Sequence, residues 1–285
     1  MLELKNFHPV TINDLIRVGR DADGGYVLSK RQVENTETLL SFGINDDWSF
    51  EADFLTKKNA KLYAFDHSVS KRGFRLAFLF DSQNYLKFMF YNVFMGRISR
   101  VRIYYKVWKA TQKLAKDFER FFDKNQDRFF IPKFVGEKND ERYIRLDTIF
   151  TDYLKNIPDF SVFIKMDVES WEYRTLPQLT PFFNKVNGLV VEFHDIDIAE
   201  RKFQEIIDRL SCEFYIAHVH ANNYDDFIHN TNFPKVLEIT FINKSLVPGQ
   251  IPPPKSSLKY PIEGLDFPCN SDLDDIALNF EKQIN

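Results

Sequence analysis

Hydrophobic residues fall into short, nearly continuous runs rich in β-branched and aromatic side chains, and most runs stop at a small or acidic residue. They are TLLSFGI (38–44), KLYAFDHS (61–68), RFFIPKFVGE (128–137), SVFIKMDVES (161–170), GLVVEFHD (188–195), EFYIAHVHANN (213–223) and KVLEITFINKSLV (235–247). Unbroken hydrophobicity over so few residues marks a strand buried on both faces. Helical patterns lie between the runs. SFEADFLTKK follows the first, LDTIFTDYLKN precedes the fourth, and WEYRTLPQLTPFFNK joins the fourth to the fifth. DIAERKFQEIIDRLS follows the fifth, with apolar side chains at 198, 199, 203, 206, 207 and 210, the spacing of one helix face. Strands alternating with helices predict an α/β, Rossmann-like, mostly parallel sheet of seven strands with helices on both faces. The last two strands are joined by a polar loop, ANNYDDFIHNTNFP, without a helix, which predicts an antiparallel edge.

Two stretches break the pattern. Residues 71–127 read as a helical insertion between the second and third strands. Within it, 71–116 carries eleven Lys or Arg against a single acid, Asp81, among many aromatics. Either its aromatics pack on the core while its charges face water, or the face is a basic, aromatic surface for anionic lipid or a phosphate-linked acceptor. Residues 246–285 open with PGQIPPPK and read as an extended tail, with one short helix at DLDDIALNFEKQ. The chain, 1–285, is otherwise a single domain, long enough to bury a three-layer core.

Composition narrows the function. A net charge of −3 gives no reason to expect nucleic acid as the main partner. Cys212 and Cys269 lie outside any CxxC pair, so neither a zinc knuckle nor a disulfide framework is expected. A reducing cytoplasm is the simplest compartment. MLELKNFHPV does not read as a secretory signal, and no run approaches the roughly 18 apolar residues of a membrane span. The basic insertion leaves open a peripheral position at the inner face of the membrane.

In an open parallel sheet, ligands bind beyond the carboxyl ends of the strands. The first strand ends at Gly43-Ile44-Asn45-Asp46-Asp47, leading to Glu51. A glycine there lets backbone approach a ligand, and the following helix presents free N–H groups. The second ends at Phe65-Asp66-His67, where an acid either caps a turn or accepts hydrogen bonds from ribose hydroxyls. The fourth brings Asp167 and Glu169 to one face, the fifth brings Glu192 and His194, and the sixth His218 and His220. A histidine among carboxylates serves as a general base, and the same set would ligate a divalent metal.

IKMDVESWEYRTLPQL followed by GLVVEFHD resembles the paired fourth- and fifth-strand motifs of FkbM-type methyltransferases. LSFGINDDWSFE, YAFDHS, FVGE, IRLDTIF, VGRDADGGYVL and HVHANNY fall in matching order, so the resemblance covers about residues 16–245 outside the insertion. It implies the class I methyltransferase fold and an S-adenosylmethionine-dependent O-methyltransferase acting on a sugar or another small hydroxyl acceptor, such as a surface glycan. Gly43, Asn45, Glu51, Asp66 and His67 would line the cofactor pocket. Asp167 and Glu169 would face the reaction centre, with His194 the first candidate base and His220 the second. If a metal takes part, Asp167, Glu169 and His194 would hold it. The first loop lacks the extra glycines of the pattern, and Ser170 stands where the pattern has glycine. Two other readings remain open: a membrane-surface adaptor that keeps the fold without methyl transfer, and a sugar-nucleotide-dependent transferase.

Overall fold

The computed structural model describes residues 2–69, 98–247 and 259–280 and the single positions 73, 87 and 249; at 98–104, 107 and 111 only backbone is described. A hairpin of β1 (Leu15–Val18) and β2 (Tyr26–Ser29) comes first. Helix Lys30–Glu34, whose Ser29–Gln32 capping box closes its first turn, leads into β3 (Thr38–Phe42). Helix Ser49–Lys57, β4 (Lys61–Phe65), helix Ile98–Phe118 and β5 (Arg128–Ile131) follow. After them come β6 (Phe134–Gly136), β7 (Tyr143–Arg145), helix Leu146–Asp152 and β8 (Val162–Met166). The chain ends its regular structure with β9 (Val186–Phe193), helix Ile196–Leu210, β10 (Phe214–Ala221) and β11 (Leu237–Asn243).

The seven-stranded sheet has the order β10-β11-β9-β8-β3-β4-β5. Pairs from β9 through β5 are parallel, while β11 is antiparallel to both β9 and β10. An antiparallel strand set between the fifth and sixth of a parallel sheet is the class I methyltransferase topology. Strands β3, β8, β9 and β11 are buried at every position. Their side chains alternate between two layers. Leu40, Phe42 and Ile164 pack under helices Leu146–Asp152 and Ile196–Leu210. Leu39 and Phe163 face Phe54, Val33 and the β1–β2 hairpin. From β3 the chain runs one way to β4 and β5, and from β8 the other way to β9. A crevice therefore opens beyond the carboxyl ends of β3 and β8.

Three expectations change. Between β8 and β9 only Glu172–Thr175 is α-helical, and Leu176–Lys185 is a 3-10 helix. Pro177 and Pro181 supply no N–H for a regular α ladder there. The tail contains no helix within 259–280 and is fastened to the body. Asn223 Oδ1 accepts from Asn270 N at 2.6 Å, and Arg17 Nη1 donates to Leu265 O at 2.9 Å. Of the insertion, residues 70–97 lie outside the described residues apart from Gly73 and Lys87, so the expected helix pair is described only from Ile98 onward. Its last turns are core: Phe118 and Phe122 are buried, with ring centroids 5.7 and 6.3 Å from Trp48. Lys106, Lys109, Lys113 and Lys116 are exposed.

Phe203 ties the N-terminus to the sheet. It is fully buried, with ring centroids 5.3 Å from Phe7 and 5.0 Å from Phe193. Phe203→Ala is expected to lower unfolding free energy by about 3–5 kcal/mol, the cost of a large core cavity. Urea unfolding checks this, and a loss under about 1 kcal/mol would be that of an ordinary surface change.

Candidate active site

Two cavities open at the crevice. The first, about 590 Å³, is lined by Gly43, Asn45, Asp46 and Asp47 after β3 and by Asp66 and Ser68 after β4. Phe134, Tyr143 and Trp171 form an aromatic side, and Arg20, Asp23 and Gly24 come from the β1–β2 hairpin. The second, about 390 Å³, lies beyond β8, β9 and β10 and holds Glu192, His194, Asp195, Asn222, Tyr224 and Asp225. Asp23, Asp167 and Glu169 line both, so the two cavities meet at the end of β8.

Gly43 has φ of +74°, and a Cβ there would stand 1.7 Å from the Asp167 carbonyl oxygen. Glycine is therefore required by both conformation and space. Beneath it lies the buried ammonium of Lys165, which donates to Gly43 O at 2.6 Å and to Asp167 Oδ2 at 3.3 Å. Burial works against that charge, but Asp167, Glu51 and Glu192 more than offset it and raise the lysine above its ordinary value. Glu51 does not line either cavity. It is buried behind the loop, accepting from the Ser41 hydroxyl, and burial raises its carboxyl above the usual range.

Asp66 lines the first cavity, but it is committed to the loop. Asn45 N donates to its Oδ2 at 2.9 Å, and Ser68 N and Oγ donate to Oδ1 at 2.7 and 2.6 Å. Any ribose contact uses what lone-pair capacity remains. His67 turns away, with Nδ1 3.0 Å from Pro132 O and its ring against Phe134.

His194 is the centre of the second cavity. Its Nε2 stands 3.6 Å from Glu192 Oε1 and 3.8 Å from both Asp167 Oδ1 and Glu169 Oε2. Its Nδ1 lies 3.4 Å from the buried Glu172, whose Oε1 accepts from the His194 backbone N at 2.7 Å. Burial disfavours the imidazolium, but Glu172, Glu192 and Asp167 outweigh it and lift the ring to about 9. Glu192 accepts from Asn222 Nδ2 at 2.7 Å, and burial, Asp167 and Glu238 push its carboxyl well above the usual range. Burial and the same two kinds of neighbour, Glu238 and Asp167, raise Asp23. Asp167, Glu192 and His194 offer ligand atoms within 4.8 Å of one another, so this set is geometrically able to hold a divalent cation; Glu169, 87% exposed at its side chain, stands at the rim.

His220 is not with them. It lines neither cavity, is 4% exposed, and has both ring nitrogens against carboxylates, Glu238 and Asp275. An imidazole held that way has no path to an acceptor. Residues that strand-end reading missed are Asp23, Lys165, Asn222 and Glu238. An acid and a lysine inside otherwise apolar strands, LEITFIN and VFIKM, were the available signals, as was the glycine-rich GRDADGG loop.

Ser170 has φ of +70° and follows Glu169 at +50°, so the position where the resembled motif has glycine is left-handed here too. The Ser170 hydroxyl donates to Asp195, itself at +49°, joining the ends of β8 and β9.

No family model matches the chain, and no curated protein matches it. Similar solved structures include fibrillarin of Methanococcus jannaschii, 11% identical over 74% of this chain and 68% of that one, TM-score 0.34. Precorrin-6y C5,15-methyltransferase of Geobacter metallireducens is 9% identical over 75% and 86%, TM-score 0.34. Aeropyrum pernix fibrillarin with natively bound S-adenosyl-L-methionine is 9% identical over 74% and 68%, TM-score 0.33. At such identity and overlap these likenesses carry no argument about activity, and the fold rests on the strand order itself.

The raised His194 couples the site to stability. Its charged form contributes fully below about pH 6.5, its unfolded value. That contribution is lost as pH rises through about 9. Wild-type protein is expected to lose urea resistance between those limits more than His194→Gln does. Parallel pH dependences in the two proteins would mean the ring is not held by its carboxylates.

Proposed function

We propose that the protein is an S-adenosylmethionine-dependent O-methyltransferase acting on a hydroxyl of a sugar or similar small acceptor. The observation that carries this is the meeting of two cavities at Asp167, one beside the glycine turn of β3 and one holding His194. The first fits the cofactor in chemistry: an aromatic side for a purine, acids at the ends of β3 and β4 for hydroxyls, and a volume in the range of small-ligand pockets. When bound, the cofactor supplies an electrophilic methyl group on a sulfonium.

This chain's residues then have three tasks. Gly43 and Asn45 let backbone approach the donor, and Asp66 keeps their loop in place. Asp167 and Glu169 orient the acceptor hydroxyl where the cavities meet. Neutral His194 takes the hydroxyl proton through Nε2, while Glu172 fixes the ring from the Nδ1 side. A ring at about 9 is neutral in only about one molecule in a hundred at pH 7. A cation in the adjacent cavity would favour the neutral form by like-charge repulsion.

A sugar-nucleotide transferase would have to seat a diphosphate against Asp46, Asp47 and Asp66, where the cations lining the cavity among the described residues are Arg20 and the Asp167-bound Lys165. A fold-only adaptor would have no use for His194 among carboxylates.

Thermal shift with S-adenosylhomocysteine, UDP and GDP separates the three readings. Stabilisation by S-adenosylhomocysteine alone is expected, and Asp66→Ala is expected to weaken its binding by about 1–3 kcal/mol in calorimetry. Stabilisation by UDP or GDP instead would overturn the reading. kcat/KM for the donor, which reports the enzyme before the donor's charge is in place, is expected to rise about tenfold per pH unit from pH 7 and level near 9. His194→Ala is expected to lower it by roughly 10²–10⁴ with donor affinity held. A pH-independent rate, or full activity in that variant, would remove His194 as the base.

A further inference from the structure

Behind the two cavities lies a cluster that methyl transfer leaves unused. His220 on β10 is registered opposite Glu238 on β11, and Cys269 reaches them from the C-terminal segment. All three are buried, at 4, 4 and 5% exposure. His220 Nδ1 is 2.9 Å from Glu238 Oε2, and Cys269 Sγ is 3.5 Å from Glu238 Oε1. The three ligand-type atoms lie within 4.8 Å of one another.

Of these separations, measured to different oxygens of Glu238, the 3.5 Å one matches those around a tetrahedral ion and the 2.9 Å one would have to lengthen by a few tenths of an ångström. With metal–nitrogen and metal–oxygen bonds of about 2.0–2.1 Å and a metal–sulfur bond of about 2.3 Å, ligand atoms stand roughly 3.3–3.6 Å apart. Charge fits as well: one thiolate, one carboxylate and a neutral imidazole balance a divalent cation, so the buried group is neutral as a whole. An independent observation concerns the other ring nitrogen. His220 Nε2 lies 3.1 Å from both oxygens of Asp275. A carboxylate on the far nitrogen is the usual partner of a metal-bound imidazole, because it fixes the tautomer and turns the free lone pair toward the ion. Here that lone pair belongs to Nδ1, on the side of Glu238 and Cys269. Sulfur with imidazole and a single carboxylate selects zinc-class metals over magnesium or calcium.

We propose that His220 Nδ1, Cys269 Sγ and a Glu238 carboxylate oxygen bind a divalent transition metal of the zinc class. The ion fastens the C-terminal segment across β10 and β11. The segment approaches from two directions there, with Asp266 3.2 Å from His218 Nε2 and Asp275 on His220. The alternative state of the same cluster is a metal-free imidazolium between two carboxylates.

Cobalt distinguishes them in the untagged full-length protein. Cobalt(II) added to chelator-treated wild type is expected to give a cobalt–thiolate charge-transfer band in the near ultraviolet, displaced by about one equivalent of zinc per chain. Cys212→Ser is expected to keep the band and Cys269→Ser to lose it. Asp275→Asn, which removes only the outer carboxylate, is expected to weaken cobalt binding about 10–100-fold. Should Cys269→Ser fail to fold, the wild-type band and the Asp275→Asn titration decide by themselves. A folded wild type that gives no thiolate band, or a band that survives Cys269→Ser, overturns the proposal and leaves the metal-free imidazolium.

Discussion

Lys165 carries a positive charge into the middle of a sheet whose neighbouring strands are buried throughout. An ammonium there persists only where its partners repay its lost hydration. Its hydrogen bonds to Gly43 O and Asp167 Oδ2 tie the ends of β3 and β8 together across the switch point. The same charge acts on Glu51 from one side and responds to Glu192 on the other. Converging carboxylates would otherwise drive these strand ends apart. Gly43, required by its own φ and by the Asp167 carbonyl, lends that ion its backbone oxygen. Replacing Lys165 by an apolar residue would leave Asp167 facing Glu192 with only His194 between them.

Around this ion the backbone takes positions that ordinary residues avoid. Asn45, Glu169, Ser170 and Asp195 all have positive φ, and each lies at the end of β3, β8 or β9. Such conformations cost about 1–3 kcal/mol each and persist where surrounding contacts determine them. Here the contacts are visible: Asn45 N on Asp66, Ser170 Oγ on Asp195, and Glu172 on the His194 backbone. Loops that would otherwise relax outward are thus bound to one another around the point where the cavities meet.

The sheet was legible because its signal is local. Each buried strand announces itself by an unbroken apolar run, and the absence of a helix between the last two fixed their antiparallel sense. Side-chain direction was less legible. His220 and His194 look alike in sequence, each two residues beyond a buried strand position and each preceded by an apolar neighbour. They differ because β11 inserts between β9 and β10, placing Glu238 against His220 while leaving His194 open toward Asp167. Long-range pairing of that kind has no trace in periodicity. The β1–β2 hairpin was missed for a related reason: four-residue strands around a glycine-rich turn are too short to show a period, yet their loop carries Asp23 into both cavities.

The charge of the second cavity constrains what can enter it. Among the described residues six acids line it, Asp23, Asp167, Glu169, Glu192, Asp195 and Asp225, against one imidazole. A phosphate or carboxylate on the acceptor would approach against that field, at a cost that low local dielectric magnifies. A neutral polyol or an amine-bearing sugar meets no such barrier, and under the proposed function its hydroxyls would donate to the carboxylates while His194 took the proton from one of them. Burial works against the imidazolium, and Glu172, which lines neither cavity, holds the ring at about 9 together with Glu192 and Asp167 of the lining; carboxylates suited to an acceptor's hydroxyls thus share in stabilising the imidazolium. Affinity for the acceptor and basicity at neutral pH are therefore opposed in this site. Under the proposed function, a cation bound in the neighbouring cavity, whose charge would act on His194 in the opposite sense to theirs, would reconcile them.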